Sequence, residues 1–351
     1  GLFPTASSWI ASHLWTQYEY THDKDYLAKT AYPLLKGNAE FLLDYMVEDP
    51  NTGYMVTGPS ISPENSFLYE GNNLCASMMP TCDRVLAYEI FNACIQSAQI
   101  LGIDQAFSDS LQQALKKFPP IRLRANGGIR EWLEDYDEAS PNHRHTSHLL
   151  ALYPYEQISL DKTPELAAGA RKTIEDRLAA EGWEDTEWSR ANMICFYARL
   201  KDAKEAYQSV LTLESIFTRE NLLSISPAGI AGAPYDIFIL DGNAAGAAGI
   251  AEMLVQGHEG YIEFLPCLPE QWSVGNYKGL CVKGGGEVSA DWNQSLINEA
   301  TLKATADNTF TVKVPQGKNY TITLNNKRID PAINNGLITV SMKAKDILKF
   351  K

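Results

Sequence analysis

The feature that most constrains this chain is a change of period near Gly260. Upstream, apolar residues recur at helical spacing in one segment after another. Downstream, short runs of Val, Ile, Thr and Tyr alternate with Asn, Gly and Lys turns. Residues 5–22 carry Trp9, Ile10, His13, Leu14, Trp15 and Tyr18 at helical spacing, and residues 28–47 repeat the pattern with Leu34, Leu35, Ala39, Phe41, Leu42 and Tyr45. The same reasoning predicts helices over 82–101, 105–117, 145–153, 163–180, 188–200, 203–216 and 243–257, the last opened by Asn243 and closed by Gly257. No strand signal interrupts this series, and no repeat of fixed period links the helix pairs. Thr309–Val314, Tyr320–Leu324 and Leu337–Ser341 read as strands, separated by Gln316-Gly317 and Asn334-Asn335-Gly336. The expected organisation is therefore a mainly α protein, with a helical domain over 1–259 and a small antiparallel β domain over 260–351. The connections at 48–80 and 120–144 are long, and such loops in a compact domain more often carry function than idle.

Composition narrows the function. At 351 residues the chain is long enough for a large core and two domains. With 45% hydrophobic and 21% charged residues it reads as an ordinary globular protein. No run approaches the roughly 20 apolar residues of a membrane helix. A formal charge of −13 argues against a nucleic-acid partner, whose phosphates need a basic face, and fits a neutral ligand. The six cysteines (Cys75, Cys82, Cys94, Cys195, Cys267, Cys281) form no CxxC pair, so neither a zinc site nor a dense disulfide framework is indicated. Buried free thiols are expected, with one or two disulfides as the alternative. The chain opens on Gly1 rather than Met, so its numbering is expected to begin inside a longer protein, and the missing leader is silent on compartment.

Polar chemistry concentrates in a few loops. Between Arg130 and Pro154 lie Glu131, Trp132, Glu134, Asp135, Tyr136, Asp137 and Glu138, then a Ser140-Pro141-Asn142 turn, then His143, Arg144, His145 and His148. Such a surface suits a sugar: aromatic faces for its C–H groups, and Arg, His and carboxylates for its hydroxyls. The histidines lack any HExxH-type spacing, so a hydrogen-bonding cluster is expected rather than a metal site. The alternative use of Arg144 is a salt-bridge knot with Glu134, Asp137 or Glu138. In Pro59-Ser60-Ile61-Ser62-Pro63-Glu64-Asn65 two prolines stiffen the chain around Glu64. The competing reading is a helix start capped by Ser62, with Glu64 favoured by the dipole. Asp241 follows the apolar run Phe238–Leu240 and precedes Gly242-Asn243, on a loop where it either reaches a cleft or caps the next helix. Gly242, Gly246 and Gly249 let that helix pack closely and are no dinucleotide fingerprint, since no βαβ pattern surrounds them. Trp183-Glu184-Asp185-Thr186-Glu187-Trp188-Ser189-Arg190 offers either a cleft floor or a helix start with a buried Trp. In a closed ring of helix pairs, loops bearing Glu64 and Asp241 gather at one face, and two carboxylates across a cleft are the minimum for glycoside hydrolysis.

These residues carry a resemblance. SPEN at 62–65, EWLEDYDEASPNHRHTSHLLALYP at 131–154, WSRANMICFYARLKDAKEAY at 188–207, DGN and GIAEMLVQ within 241–256, and FLPCLPEQWSVGNYKGLCVKGGGEV at 264–288 occur in one order along the chain. Together they resemble glycoside hydrolase family 95, the inverting α-1,2-L-fucosidases with some α-L-galactosidases. The resemblance implies an (α/α)6 barrel, incomplete at its N-terminus here, followed by a β-sandwich-like C-terminal domain. It implies Glu64 as general acid and Asp241 as the residue polarising an asparagine pair that holds the attacking water. Arg144 and His145 are implied as sugar contacts, with Asn243, Trp132 and Trp188 completing the expected substrate-binding set. Inversion goes with carboxyl groups about 6.5–9.5 Å apart. No cofactor or metal is expected; the partner is a glycan, with no membrane insertion, and the compartment is secreted or periplasmic. The family's Asn-x-Asn motif lies upstream of its equivalent of Trp9–Tyr20 and has no counterpart here. The usual Asp-Gly-Asn-Phe-Gly is Asp241-Gly242-Asn243-Ala244-Ala245, which removes a ring beside the site. The chain is thus expected to be the C-terminal part of such an enzyme, with impaired activity. The alternatives are a carbohydrate-binding or structural module, and, ranked last, another (α/α)6 enzyme such as a polysaccharide lyase, which wants more basic groups.

Overall fold

The computed structural model describes residues 2–351. The chain divides into two compact units: one comprises the residues through Tyr18 together with Asp23–Glu184, the other Glu19–His22 and Asp185–Lys351.

In the first unit the helices are α1 (Ala6–Thr21, its last turn grouped with the second unit), α2 (Lys24–Tyr26), α3 (Tyr32–Tyr45), α4 (Thr81–Leu101), α5 (Gln105–Leu115) and α6 (Pro164–Ala179). The helix expected over 28–47 is instead a path from Lys24 to Tyr45 with a π turn at Leu27–Ala31. Pro33, at the start of α3, has no N–H to close an i→i−4 bond, so the ladder shifts register just before it. Gly102, at φ +68, ends α4 in the left-handed conformation. The core of this unit is built from Leu27, Leu35, Leu42, Ile90, Phe91 and Leu111, each fully enclosed.

Two expectations for this unit are corrected. Residues 145–153 form no α-helix; a five-residue 3-10 turn, Ser147–Ala151, stands there. Pro154 disfavours the helical conformation at Tyr153 and leaves too short a run to propagate. Strands also interrupt the helical series. Val47–Glu48 pairs with Met55–Val56, Ser60–Ile61 with Ala76–Ser77, and Phe67–Tyr69 with both Asn72–Leu74 and Asp137–Glu138. Strands of two or three residues are too short to display a period of two, so the pattern does not announce them.

The second unit holds α7 (Glu187–Arg199), α8 (Ala203–Ile216) and α9 (Leu240–Leu254) together with the β region. Thr186 and Ser189 close a capping box at the start of α7, and Asp202 caps α8 by accepting from the Glu205 N–H. α9 lies upstream of its expected 243–257 span, because Val255–Gln256 continues as a strand paired with Glu263–Phe264. Six antiparallel strands follow in the order Gly275–Val282, Gly286–Asn293, Leu296–Ala304, Ile347–Phe350, Ile322–Leu324 and Lys327–Arg328; Asn308–Lys313 and Leu337–Met342 form a separate pair. Val288, Trp292, Leu302, Phe310, Val340 and Phe350 share one core between them. The three expected strands are present within a residue or two. The long hairpins over 275–304 stand out less in the sequence because register shifts at Tyr277/Leu280 and Asp291/Trp292 break their alternation.

Close helix packing in this unit depends on missing side chains. Gly242, Gly246 and Gly249 are buried along one stripe of α9. A Cβ on Gly249 would stand 2.6 Å from Ile194 Cγ2, 2.8 Å from its Cβ and 3.2 Å from the Cys195 nitrogen, whereas one on Gly246 would meet only the Leu213 Cδ2 methyl at 2.6 Å. Overpacking against a helix backbone costs about 1–3 kcal/mol, more than the ~1 kcal/mol that Ala gains over Gly in a helix. Gly249→Ala is therefore expected to lower the unfolding free energy in a urea titration. Gly246→Ala, whose neighbour is a flexible side-chain end, is expected to leave it unchanged or raise it.

Candidate active site

In the first unit a single loop presents Glu64. The Gly58–Pro59 and Pro63–Glu64 peptides are both cis, Tyr45 Oη donates to the Pro59 carbonyl at 2.6 Å, and Ser147 Oγ donates to the Pro63 carbonyl. No helix begins at Ser62, so the capping reading of this loop is set aside. Glu64 itself is open, its side chain 57% exposed. Arg144 Nη2 reaches its Oε2 at 2.5 Å, and His145 Nε2 lies 3.5 Å from the same oxygen. Arg144 Nη1 donates to Glu184 at 3.1 Å, so one guanidinium bridges two carboxylates. The knot expected with Glu134, Asp137 or Glu138 belongs to a different arginine: Arg124 takes Asp135, Asp137 and Glu138 at 3.2–3.3 Å.

Burial works against charging all three histidines. Burial, then the Arg144 charge, pushes His145 down to about 3 and lowers His143; burial and Arg177 hold His148 well below its usual range. His143 Nδ1 accepts from the His145 N–H at 3.0 Å, which fixes one ring beside the other. Among the described residues no group of three or more His, Cys, Asp or Glu could hold a metal ion.

Beneath the loop lies a buried polar cluster that the sequence reading did not single out. Ser62 Oγ donates to Glu131 Oε1 at 2.7 Å, and Asn65 Nδ2 donates to Glu131 Oε2 at 3.3 Å and to Glu138 Oε2 at 2.9 Å. Arg177 pairs with Glu138 at 2.7 Å, stands 3.8 Å from Glu131, and donates to the carbonyls of Ser140 and Pro141. His148 Nδ1 is 3.7 Å from Glu131 Oε2 and has no hydrogen-bond partner among the described residues. Burial, reinforced by the charge of Glu138, pushes Glu131 up to about 7, against the pull of Arg177, Ser62 and Asn65. The only sequence signal was the density of acids in 131–138.

Trp132, expected at the sugar, is 2% exposed and tilted against Phe67 at 5.2 Å; it offers no face for stacking. The accessible rings are others. Tyr136 stacks on Phe67 at 4.4 Å and meets Tyr69 edge-on at 5.8 Å, and these rings line a groove of about 480 Å³.

In the second unit Asp241 is exposed on the first turn of α9, not on a loop and not as its cap; Ile239 holds the cap position without a side-chain bond. The helix N-terminus favours a carboxylate there. Asn243 is occupied structurally: its Oδ1 accepts from the Ser224 N–H and Oγ, each at 2.9 Å, and its Nδ2 donates to the Leu222 carbonyl at 2.7 Å. Trp188 is half-buried in the first turn of α7. The neighbouring Glu187 is the residue of interest. Buried at 2% exposure, with Oε2 lacking a hydrogen-bond partner among the described residues, its carboxyl is raised by burial and further by the charge of Asp241, against bonds from the backbone and Ser226. A Cβ on Gly242 would stand 2.7 Å from Glu187 Cβ, so glycine after Asp241 makes room for that side chain. All six cysteines are free, as expected, although Cys75 and Cys281 are exposed rather than buried. Among the described residues no helix is long and apolar enough to cross a membrane.

Glu131 gives a pH signature. Its folded-state pKa of about 7 exceeds the ordinary 4.5, so the folded chain holds the proton more tightly than the unfolded one. The stability this contributes is complete below the unfolded value and is lost as pH rises through the folded one. Over about pH 5 to about pH 7.5 the three histidines, lowered in the fold, add stability as pH rises while Glu131 subtracts it, so the wild type is expected to gain less unfolding free energy over that window than Glu131→Gln, which cannot titrate; urea titrations at the two pH values measure both.

The model of the glycosyl hydrolase family 95 catalytic domain matches residues 1–254, and that of the glycoside hydrolase family 95 C-terminal domain matches residues 256–348. The chain is similar to "Alpha-L-fucosidase 2" of Arabidopsis thaliana, 34% identical over 306 residues, covering 86% of this chain and 36% of that protein. It is also similar to "Probable alpha-fucosidase A" of Aspergillus niger, 29% identical over 321 residues, covering 84% and 38% respectively. It thus spans well under half the length of these curated relatives. Among solved structures it resembles "Putative kojibiose phosphorylase from human microbiome" (TM-score 0.57, 10% identity, 97% of this chain and 50% of that one). It also resembles Streptomyces avermitilis alpha-L-rhamnosidase complexed with L-rhamnose (TM-score 0.51, 12% identity, 96% and 32%). At such identities the likeness concerns the fold alone.

Proposed function

The chain belongs to glycoside hydrolase family 95, and from that premise we propose that it carries the catalytic carboxylates of an inverting α-L-fucosidase. The observation that carries the reading is Glu64: an open carboxylate on a loop anchored from below, with Arg144 and His145 at its Oε2. The two fucosidase relatives support the substrate class. The helical region is read as part of an (α/α)6 barrel, in keeping with the fold of the solved neighbours.

In this reading Glu64 gives its proton to the glycosidic oxygen as the bond to the anomeric carbon breaks. Water attacks that carbon from the opposite face and its proton passes to the Asp241 carboxylate, so the released sugar has inverted configuration. A sugar hydroxyl competes with Glu64 for Arg144, and neutral His145 supplies a hydrogen bond without adding charge. The substrate is a glycan acted on in a secreted or periplasmic setting. A second reading, kept because the chain spans only 36% and 38% of the two fucosidase relatives, is a carbohydrate-binding part of such an enzyme.

Incubating the 351-residue chain with an α-1,2-fucosylated oligosaccharide, followed by proton NMR, tests the assignment. β-L-Fucose is expected as the first anomer. Glu64→Gln is expected to lose about 10²–10⁴-fold in turnover, and early appearance of the α anomer would overturn inversion. Ligand-induced shifts without release would support the binding fragment instead. Asp241→Asn should lose turnover on a similar scale yet cost only about 0.3–1 kcal/mol of stability. A stability loss with undiminished turnover would make Asp241 a helix-dipole partner alone.

A further inference from the structure

The loop bearing Glu64 is held from a place substrate cannot reach. Ser62 and Asn65 flank the Pro63–Glu64 dipeptide, and both are buried and bonded to Glu131, which is 3% exposed. Few other anchors serve this turn: the Asn65 N–H closes it on the Ser62 carbonyl at 2.9 Å, and Ser147 holds the Pro63 carbonyl. The groups facing Glu131 are Glu138, Arg177 and His148, with Cys82 Sγ 4.0 Å from Ser62 Oγ and Arg124 reaching Glu138 from outside. A carboxylate buried among these gains nothing as an isolated charge; it persists where its hydrogen bonds fix geometry.

We infer that Glu131 is a positioning residue for the general acid: through Ser62 and Asn65 it sets where the Glu64 carboxyl stands against Arg144 and His145. This rests on Glu64 as the acid. Ser62 accepts its placement from one carboxylate oxygen and Asn65 from the other, so the single Glu131 side chain controls both ends of the turn. Asn65 is further shared with Glu138, which Arg177 pins, and this ties the acid loop to α6. Glutamine is a partial substitute: its Oε1 can accept from Ser62, but its amide then meets the Asn65 amide donor to donor, so the Asn65 link is lost while the Ser62 link stays. Alanine replaces neither bond.

Hydrogen exchange followed by mass spectrometry on the 351-residue chain reads the loop without turnover. In Glu131→Ala, exchange in the peptide spanning 59–66 is expected to rise about tenfold or more, with α7 in the other unit unchanged, while Glu131→Gln, which keeps the Ser62 link alone, is expected to rise less than Glu131→Ala. If Glu131→Ala does not fold, Ser62→Ala cuts the shorter of the two links, leaves Arg177 in place, and is expected to loosen the same peptide. Unchanged exchange at 59–66, or a rise there no greater than throughout the unit, overturns the inference. Turnover supplies the second arm. Glu131→Ala is expected to lose about 10²-fold in kcat on an α-1,2-linked fucoside, whose leaving group needs a proton, and far less on a 2,4-dinitrophenyl α-L-fucoside, whose leaving group does not. Equal losses on both substrates indicate general damage and count against positioning. If Glu64→Gln shows no such leaving-group dependence, the acid assignment fails, while the exchange result still decides whether Glu131 holds the loop.

Discussion

Burying Glu131 beside Glu138 and Arg177 is the constraint around which the first unit is arranged. Arg177 and Arg124 both reach Glu138, while Glu131 has only Arg177, 3.8 Å away, to offset its charge. Burial makes an uncompensated charge expensive, and the molecule answers by raising Glu131 toward neutrality and by surrounding it with donors from Ser62 and Asn65. Those donors belong to the loop of Glu64. The electrostatic requirement of the interior thus becomes a geometric requirement at the surface. Arg124, outside the cluster, gathers the remaining acids of the 135–138 segment and keeps their repulsion from spreading inward.

The second unit solves a different problem, close approach. Three glycines on α9 let Ile194, Leu213 and Glu187 approach closely, against the Cys195 backbone at Gly249 and only a movable Leu213 methyl at Gly246. Gly242 serves packing and chemistry together, because the space it leaves is filled by a buried carboxylate beside the exposed Asp241. Asp241 sits exposed at a helix N-terminus, whereas burial disfavours the charged form of Glu187.

Fold persistence at 10–12% identity is consistent with this economy. Helical periodicity, small residues at contacts and alternation in the strands are satisfied by many sequences, so the architecture outlasts most identities. Glu64 and Arg144, by contrast, have particular partners at particular distances.

Much of this was written in the sequence. The change of period near Gly260, the placing of most helices, the stiff loop around Glu64 and the small-residue stripe of α9 are local properties, fixed by spacing and by Pro and Gly chemistry. Other features were decided only by tertiary structure. The sequence placed Trp132 among sugar-binding rings, yet it lies beneath Phe67, since periodicity cannot say which side of a loop faces water. Asn243 was expected at substrate, and the folded chain also binds it to Ser224 and Leu222, contacts 19 and 21 positions away that spacing does not reveal. Glu131 and Arg177 are 46 positions apart in the chain, counting 177 − 131, and nothing short of the folded chain reveals that they meet. Local pattern fixes elements; the pairing of buried charges is a long-range matter of dielectric and contact, and it becomes definite only when the chain has closed around them.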